Sequence, residues 1–268
     1  MNETIAQMTG ASGYKKAPKL HFNKVEFQAS AKKNSEVDAG NFKYTDLLSP
    51  REDGERAKVE SLGSEIEIVF LKIKRDMFAY RKGEKNLQTS EHDNKEDVVA
   101  LFGEPEIIRG KASELREQFQ DLKVRQIIYA YLPSRQEVVK VYIKGTALYA
   151  DDGRTAFYNY LQSFADNEHS HEFRTILKAV EVPNEDYWTI EFSKGEKLAG
   201  EQLAKIEGLI VDIHTKMKAR DDFFASSNKD KEKVEGVDSK GDSLPTIEID
   251  ENQDEDVGQG INPEDIPF

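Results

Sequence analysis

Residues 64–80 read Ser64-Glu65-Ile66-Glu67-Ile68-Val69-Phe70-Leu71-Lys72-Ile73-Lys74-Arg75-Asp76-Met77-Phe78-Ala79-Tyr80, and their pattern decides the fold. The stretch is rich in β-branched and aromatic residues and alternates as a strand does. Its apolar side changes midway. Ile66, Ile68 and Phe70 share a parity that Lys72 and Lys74 continue, while Leu71 and Ile73 follow Glu65 and Glu67. Such a strand must bend strongly and pass from one side of a barrel wall to the other. Strands of this kind open many small five-stranded barrels.

Working outward, residues 83–96 read as an exposed loop and 97–102 as a second short strand. Residues 111–123 predict a helix, with Ser113 near its start and Leu115, Phe119 and Leu122 at helical spacing. Strands follow at 125–132 and 138–144, joined by a turn containing Pro133 and Ser134. A helix over 155–164 carries Phe157, Tyr160, Leu161 and Phe164 on one side. A strand pair over 173–182 and 187–192 is split at Pro183-Asn184. Residues 198–224 form a long amphipathic helix with Leu203, Ile206, Leu209, Ile210, Ile213 and Met217. Upstream, Gly10, Gly13, Pro18, Gly40 and Pro50 interrupt a polar stretch, with a short strand at 21–27. Lys15, Lys16, Lys19, Lys24 and Lys43 there accompany Tyr14, Phe22, Phe27, Phe42 and Tyr44.

The expected class is mainly β with helices (α+β). The expected architecture is an OB-like barrel with an added C-terminal helix and a disordered acidic tail. An OB-like barrel places a helix between its third and fourth strands, about where 111–123 falls. A generic α+β sheet with helices on one side is the alternative. The chain divides into an N-terminal arm and edge segment (1–60), the OB-like body (61–225) and the tail (226–268).

The hairpin within 125–144 supplies a candidate binding face. A four-residue turn at 133–136 sets Tyr131 opposite Val138, Tyr129 opposite Lys140 and Ile127 opposite Tyr142. One face then shows Tyr129, Tyr131, Lys140, Tyr142 and Lys144; the other shows Ile128, Ala130, Leu132, Val139, Val141 and Ile143. A five-residue turn would mix the two sets and bury lysines at high cost. Aromatics stack on bases of any sequence and lysines track phosphates. Lys72, Lys74, Arg75, Tyr80, Arg81 and Lys82 repeat the pattern on and beyond the long strand. Tyrosine and lysine are also ordinary on the wet face of a sheet. Trp188 could stack on a base, but its place inside a strand suits a core.

The charge is uneven. Residues 226–268 carry 13 Asp/Glu and 4 Lys/Arg, so −9 of the net −13 lies there and −4 remains for 1–225. A body this close to neutral binds nucleic acid only if its cations gather on one face. There is no cysteine, which removes disulfides and thiolate metal sites and fits a reducing cytoplasm. No apolar run approaches membrane-spanning length and the N-terminus lacks a signal-peptide core. A cytoplasmic protein with no membrane partner is expected.

The chain ends Ile261-Asn262-Pro263-Glu264-Asp265-Ile266-Pro267-Phe268, after a stretch in which 247–268 hold 8 Asp/Glu and no Lys/Arg. An acidic run usually only solvates, but this one closes on an apolar hook and a free carboxylate. It resembles the C-terminal tip of bacterial single-stranded DNA-binding proteins (SSB), with Glu264 where a further aspartate is more usual. The resemblance implies docking of replication, recombination or repair proteins: Phe268 fills a partner's apolar pocket, its α-carboxylate meets a basic residue, and Glu264 and Asp265 meet a basic rim, with Ile266 and Pro267 between. The body is longer than the usual bacterial SSB domain, so a divergent or phage-like form is implied, with homo-oligomerisation open.

Other signals are set aside. His169 and His171, with Glu168 and Glu172, lack a further ligand at recognisable spacing. Asp151-Asp152-Gly153 reads as a turn. No phosphate loop, dinucleotide fingerprint or catalytic triad is readable, so neither an enzyme nor a cofactor is expected. The leading expectation is a sequence-independent single-stranded DNA-binding protein of a bacterial cell or phage. The alternative is a recombination mediator or replication accessory factor that uses the same docking tail.

Overall fold

A computed structural model describes residues 20–31, 35–51, 55–150, 153–183 and 185–232. The protein is mainly β with three helices among these residues. Its strands are β1 (Asn23–Gln28), β2 (Asn41–Asp46), β3 (Lys58–Ser61), β4 (Glu65–Ala79), β5 (Leu87–Thr89), β6 (Val98–Phe102), β7 (Ile108–Lys111), β8 (Lys123–Leu132), β9 (Glu137–Lys144), β10 (Phe173–Glu181) and β11 (Trp188–Lys197). The helices are α1 (Ala112–Gln118), α2 (Phe157–Gln162) and α3 (Gly200–Glu232).

The strand order is β3-β2-β1-β9-β8-β4-β5-β6-β7, with β10 joined to β4 and β11 to β10. All described ladders are antiparallel except β1 with β9, so the sheet is mixed. The long strand β4 organises it. Residues 65–68 pair with β10, residues 69–78 with β8, and residues 78–79 with β5. Between Phe70 and Lys72 the β4–β8 register shifts, and Leu71 is the extra residue. This bulge is the physical form of the expected bend. One additional residue exchanges the faces, so the apolar parity changes there.

The expected closure into an OB-like barrel is not seen among the described residues; the sheet is open. The backbone N–H of Trp188 donates one hydrogen bond to the Ala29 carbonyl at 2.7 Å. Gly40 makes that approach feasible. Its φ is +77°, and a Cβ there would lie 2.8 Å from the Trp188 ring. Trp188 thus packs on backbone at the end of β1 and β2.

Within the expected N-terminal arm and edge segment, β1, β2 and β3 form one edge of the sheet, and Val25, Phe42 and Tyr44 are buried in the main core. That core lies between one face of the sheet, the β10–β11 pair and α2. It includes Ile66, Ile68, Phe70, Ile128, Ala130, Leu132, Val139, Val141 and Ile143 together with Phe157, Tyr160, Leu177 and Phe192. A second core lies on the opposite face, where Ile206, Ile213 and Met217 of α3 cover Val69, Leu71, Ile127 and Tyr129. A third fills the end of the molecule around Met77, Leu87, Leu101, Leu115 and Leu122.

Several elements differ in extent from expectation. Helix α1 stops at Gln118, where Phe119 leaves helical geometry; Leu122 is buried from the turn beyond. The stretch 83–96, expected as a loop, contains β5 and the buried residues Leu87, Thr89 and His92. No described helix is long and apolar enough to cross a membrane.

Candidate nucleic-acid interface

The hairpin has the expected register. Tyr131 lies opposite Val138, Tyr129 opposite Lys140, and Ile127 opposite Tyr142. The aliphatic face is buried in the main core, and the aromatic–cationic face lies on the other side. What the hairpin alone could not reveal is that α3 covers one end of that second face.

Under the helix, three expected contacts are withdrawn from solvent. Tyr129 is 0% exposed. Its hydroxyl donates to Glu91, its ring meets Phe22 edge-on at 5.3 Å, and Lys140 Nζ sits 5.1 Å from its centroid. Lys140 Nζ also donates to Glu91 Oε1 at 2.6 Å. Burial pushes the Tyr129 hydroxyl well up, and the Glu91 carboxylate adds to it. Burial alone would raise the Glu91 carboxyl, but the Lys140 ammonium and the Tyr129 hydroxyl outweigh it and hold it below the usual carboxylate range. Tyr131 is half-buried, and its hydroxyl accepts from Lys205 Nζ of α3 at 2.7 Å. Tyr129 and Lys140 are therefore an internal polar group, not a stacking platform. A tyrosine buried with a carboxylate is stable only when satisfied, and Glu91 satisfies it from the segment expected to be a loop.

Beyond the helix, four side chains form a row across β4, β8, β9 and β1, with Phe78 and Tyr142 half-buried. The Arg125 guanidinium lies 5.0 Å from the Phe78 centroid and 4.6 Å from the Tyr142 centroid. Lys24 Nζ lies 5.2 Å from the centroid of the same Tyr142 ring. Arg125 is held in place by Asp76: Nε donates to Oδ1 at 3.0 Å and Nη2 to Oδ2 at 2.6 Å. Gln88 Nε2 donates to Asp76 Oδ2 at 3.0 Å. The bidentate pair fixes the guanidinium plane between two rings, the geometry in which cation–π attraction is strongest. Tyr142 is half-buried, and burial above all pushes its hydroxyl up.

Cations border the row. Lys72 and Lys74 share Asp93, at 3.0 and 3.5 Å. Lys144 is exposed at the end of β9. Lys24, Lys43 and Lys144 all act on Glu26 and, against its burial, hold its carboxyl below the usual range. The structure thus brings together Lys72, Lys74, Tyr142 and Lys144 from the expected set, and adds Lys24, Lys43, Phe78 and Arg125. The missed members follow a readable signal, since Lys24, Phe78 and Arg125 fall on the same face once the strand registers are known.

The remaining expected residues lie elsewhere. Arg75 points to the opposite face of β4. It is directly paired with the buried Gln126, whereas Lys74 pairs with Ile127. Arg81 is engaged by Asp121 at 2.9 Å, Glu104 at 2.8 Å and Glu84 at 4.0 Å. It fastens the β4–β5 turn to the third core rather than presenting a free cation. Tyr80 is 40% exposed, and Lys82 is exposed in that turn. Glu264, Asp265, Ile266, Pro267 and Phe268 lie outside the described residues, as do Tyr14, Lys15, Lys16, Lys19, Asp151 and Asp152. His169 and His171 stack at 5.6 Å, and no group of three ligating side chains suited to a metal occurs among the described residues. Trp188 is half-buried against Gly40.

No protein-family model, curated protein or solved structure matches this chain.

Proposed function

We propose that the protein binds single-stranded DNA without regard to sequence, and recruits replication, recombination or repair proteins through its acidic tip. The observation that carries this reading is the row of rings and cations on the second sheet face. There Phe78, Arg125, Tyr142 and Lys24 alternate ring and cation across four neighbouring strands. Bases stack on aromatic rings, which the half-buried Phe78 and Tyr142 offer, and the bordering Lys43, Lys72, Lys74 and Lys144 are set to meet phosphates. The face serves as the wall that an OB-like barrel would present, although here it belongs to an open sheet. The tail adds the docking half of the proposal on its resemblance to the SSB tip.

Stacking contributes roughly 1–3 kcal/mol per base, and each phosphate neutralised gives a log–log salt slope of about −0.7 for a single strand. The test is titration of the intact chain with oligo-dT, read by tyrosine and Trp188 fluorescence, at low and moderate salt. Tight binding that weakens steeply with salt is the expected result. Absence of binding at low salt, with and without residues 233–268, removes the DNA-binding half.

One observation favours the alternative, an accessory factor that holds protein instead. Lys72, Lys74, Lys140 and Arg81 are already in ion pairs, so a strand of DNA must compete with carboxylates for them. The same titration separates the two readings.

A further inference from the structure

Arg125 and Gln126 are consecutive on β8 and point to opposite faces of the same end of the sheet. Arg125 supports the Tyr142 row in front. Behind, Gln126 Nε2 donates to the Tyr158 hydroxyl at 2.7 Å. Tyr158 and Tyr149 form an aromatic pair with centroids 4.6 Å apart and planes tilted by 31°. Both rings are half-buried at the margin of the main core. Arg75, directly across the ladder from Gln126, is half-buried on this same face. Its side chain makes no ion pair among the described residues, in a sheet where Lys72, Lys74, Arg81, Arg125 and Lys140 all do.

A half-exposed guanidinium beside aromatic rings and without a carboxylate partner is free to meet a ligand's anion. Arg75 and Arg116 both act on the Tyr149 hydroxyl, which burial first and Tyr158 next push up to about 12. The ladder partner of Arg75, Gln126, is the residue that bonds the Tyr158 hydroxyl. Lys144, exposed at the end of β9, lies opposite Arg125 at that end of the front face.

We infer that Tyr149, Tyr158 and Arg75 form a second nucleobase-and-phosphate subsite, on the back of the sheet, for a single strand that leaves the Tyr142 row and passes around the end of β9. The strand's base stacks on the tyrosine pair, and its phosphate meets the Arg75 guanidinium. This inference rests on the single-stranded DNA reading and extends it to a strand that wraps two faces. It gives a role to Arg75, which the sequence pattern placed among the binding cations and the structure turned away from the others.

Photocrosslinking tests it. Oligo-dT carrying 5-iododeoxyuridine is bound to the intact chain at low salt, irradiated, and the crosslinked residues are mapped by mass spectrometry. Crosslinks at Tyr149 or Tyr158 as well as at the front face are expected. Crosslinks at the front face alone overturn the inference and leave the DNA-binding reading standing; no binding at low salt overturns both. A second arm replaces both tyrosines by leucine. Affinity for a long oligo-dT should fall roughly 5- to 100-fold, the range set by losing one stacked base, while phenylalanine at either position should retain it. An equal loss with phenylalanine, or none with leucine in a variant that melts like the parent, contradicts the subsite.

Discussion

Replacing Asp76 by asparagine removes one charge from the centre of the proposed DNA-binding face. Asp76 is 0% exposed and the Arg125 side chain 11% exposed, so the pair is shielded from solvent screening. Arg125 donates two hydrogen bonds to it and Gln88 one. With an amide at position 76, the guanidinium stays trapped between Phe78 and Tyr142 without its counter-charge. Breaking a buried pair from one side costs about 3–5 kcal/mol, a large part of the roughly 5–15 kcal/mol that holds a domain folded. With a urea dependence of about 2 kcal/mol per molar, the unfolding midpoint should drop by roughly 1.5–2.5 M. The Asp76→Leu, Arg125→Met double variant should recover most of that loss, because both charges leave together and apolar groups replace them. The assay is urea unfolding of the full chain followed by far-UV circular dichroism. A loss below about 1 kcal/mol for Asp76→Asn, the size of an exposed pair, would refute the burial and the fixed geometry of the row.

Three further outcomes follow from the packing. The Glu91 carboxyl titrates below its unfolded value near 4.5, so its stabilising contribution is complete above that pH and is lost as pH falls through the lower folded value; acid unfolding of Glu91→Gln should lack this part of the slope. Gly40→Ala forces a Cβ to 2.8 Å from the Trp188 ring at a positive φ and should destabilise by about 1–3 kcal/mol, with altered Trp188 emission; unchanged stability and emission would contradict the contact. Ile213→Ala leaves a cavity beneath α3 and should cost about 2–5 kcal/mol; a loss near zero would mean that the helix does not seal the second core.

The hairpin register was legible because alternatives would bury Lys140 or Lys144 among aliphatic residues, and the bend in β4 was legible because Lys72 and Lys74 take over a parity begun by Ile66 and Ile68. The apolar stripe of α3 was equally plain, with Leu203, Ile206, Ile213 and Met217. Its destination was not. The helix covers the end of the hairpin face, which Tyr129 and Lys140 made read as wet. Their partner, Glu91, comes from a polar stretch with no periodic pattern, so no local signal announced that these groups are satisfied inside. β2 and β3 were missed for a related reason: each is short, and Phe42 and Tyr44 reach the core only through pairing with β1. The approach of the Arg125 guanidinium to the Phe78 ring, 5.0 Å from its centroid, appears only when the strands lie side by side.

The most direct measurement compares oligo-dT binding by the intact parent chain with that of Tyr142→Leu across a salt series. Tyr142 is the ring that both Arg125 and Lys24 approach, and it packs no deeper than the margin of the second core. The account predicts salt-dependent binding by the parent and a roughly 5- to 100-fold weaker affinity for the variant, with a similar salt slope because the lysines are unchanged. Equal affinity for the two proteins, or a parent that fails to bind at low salt, would contradict it.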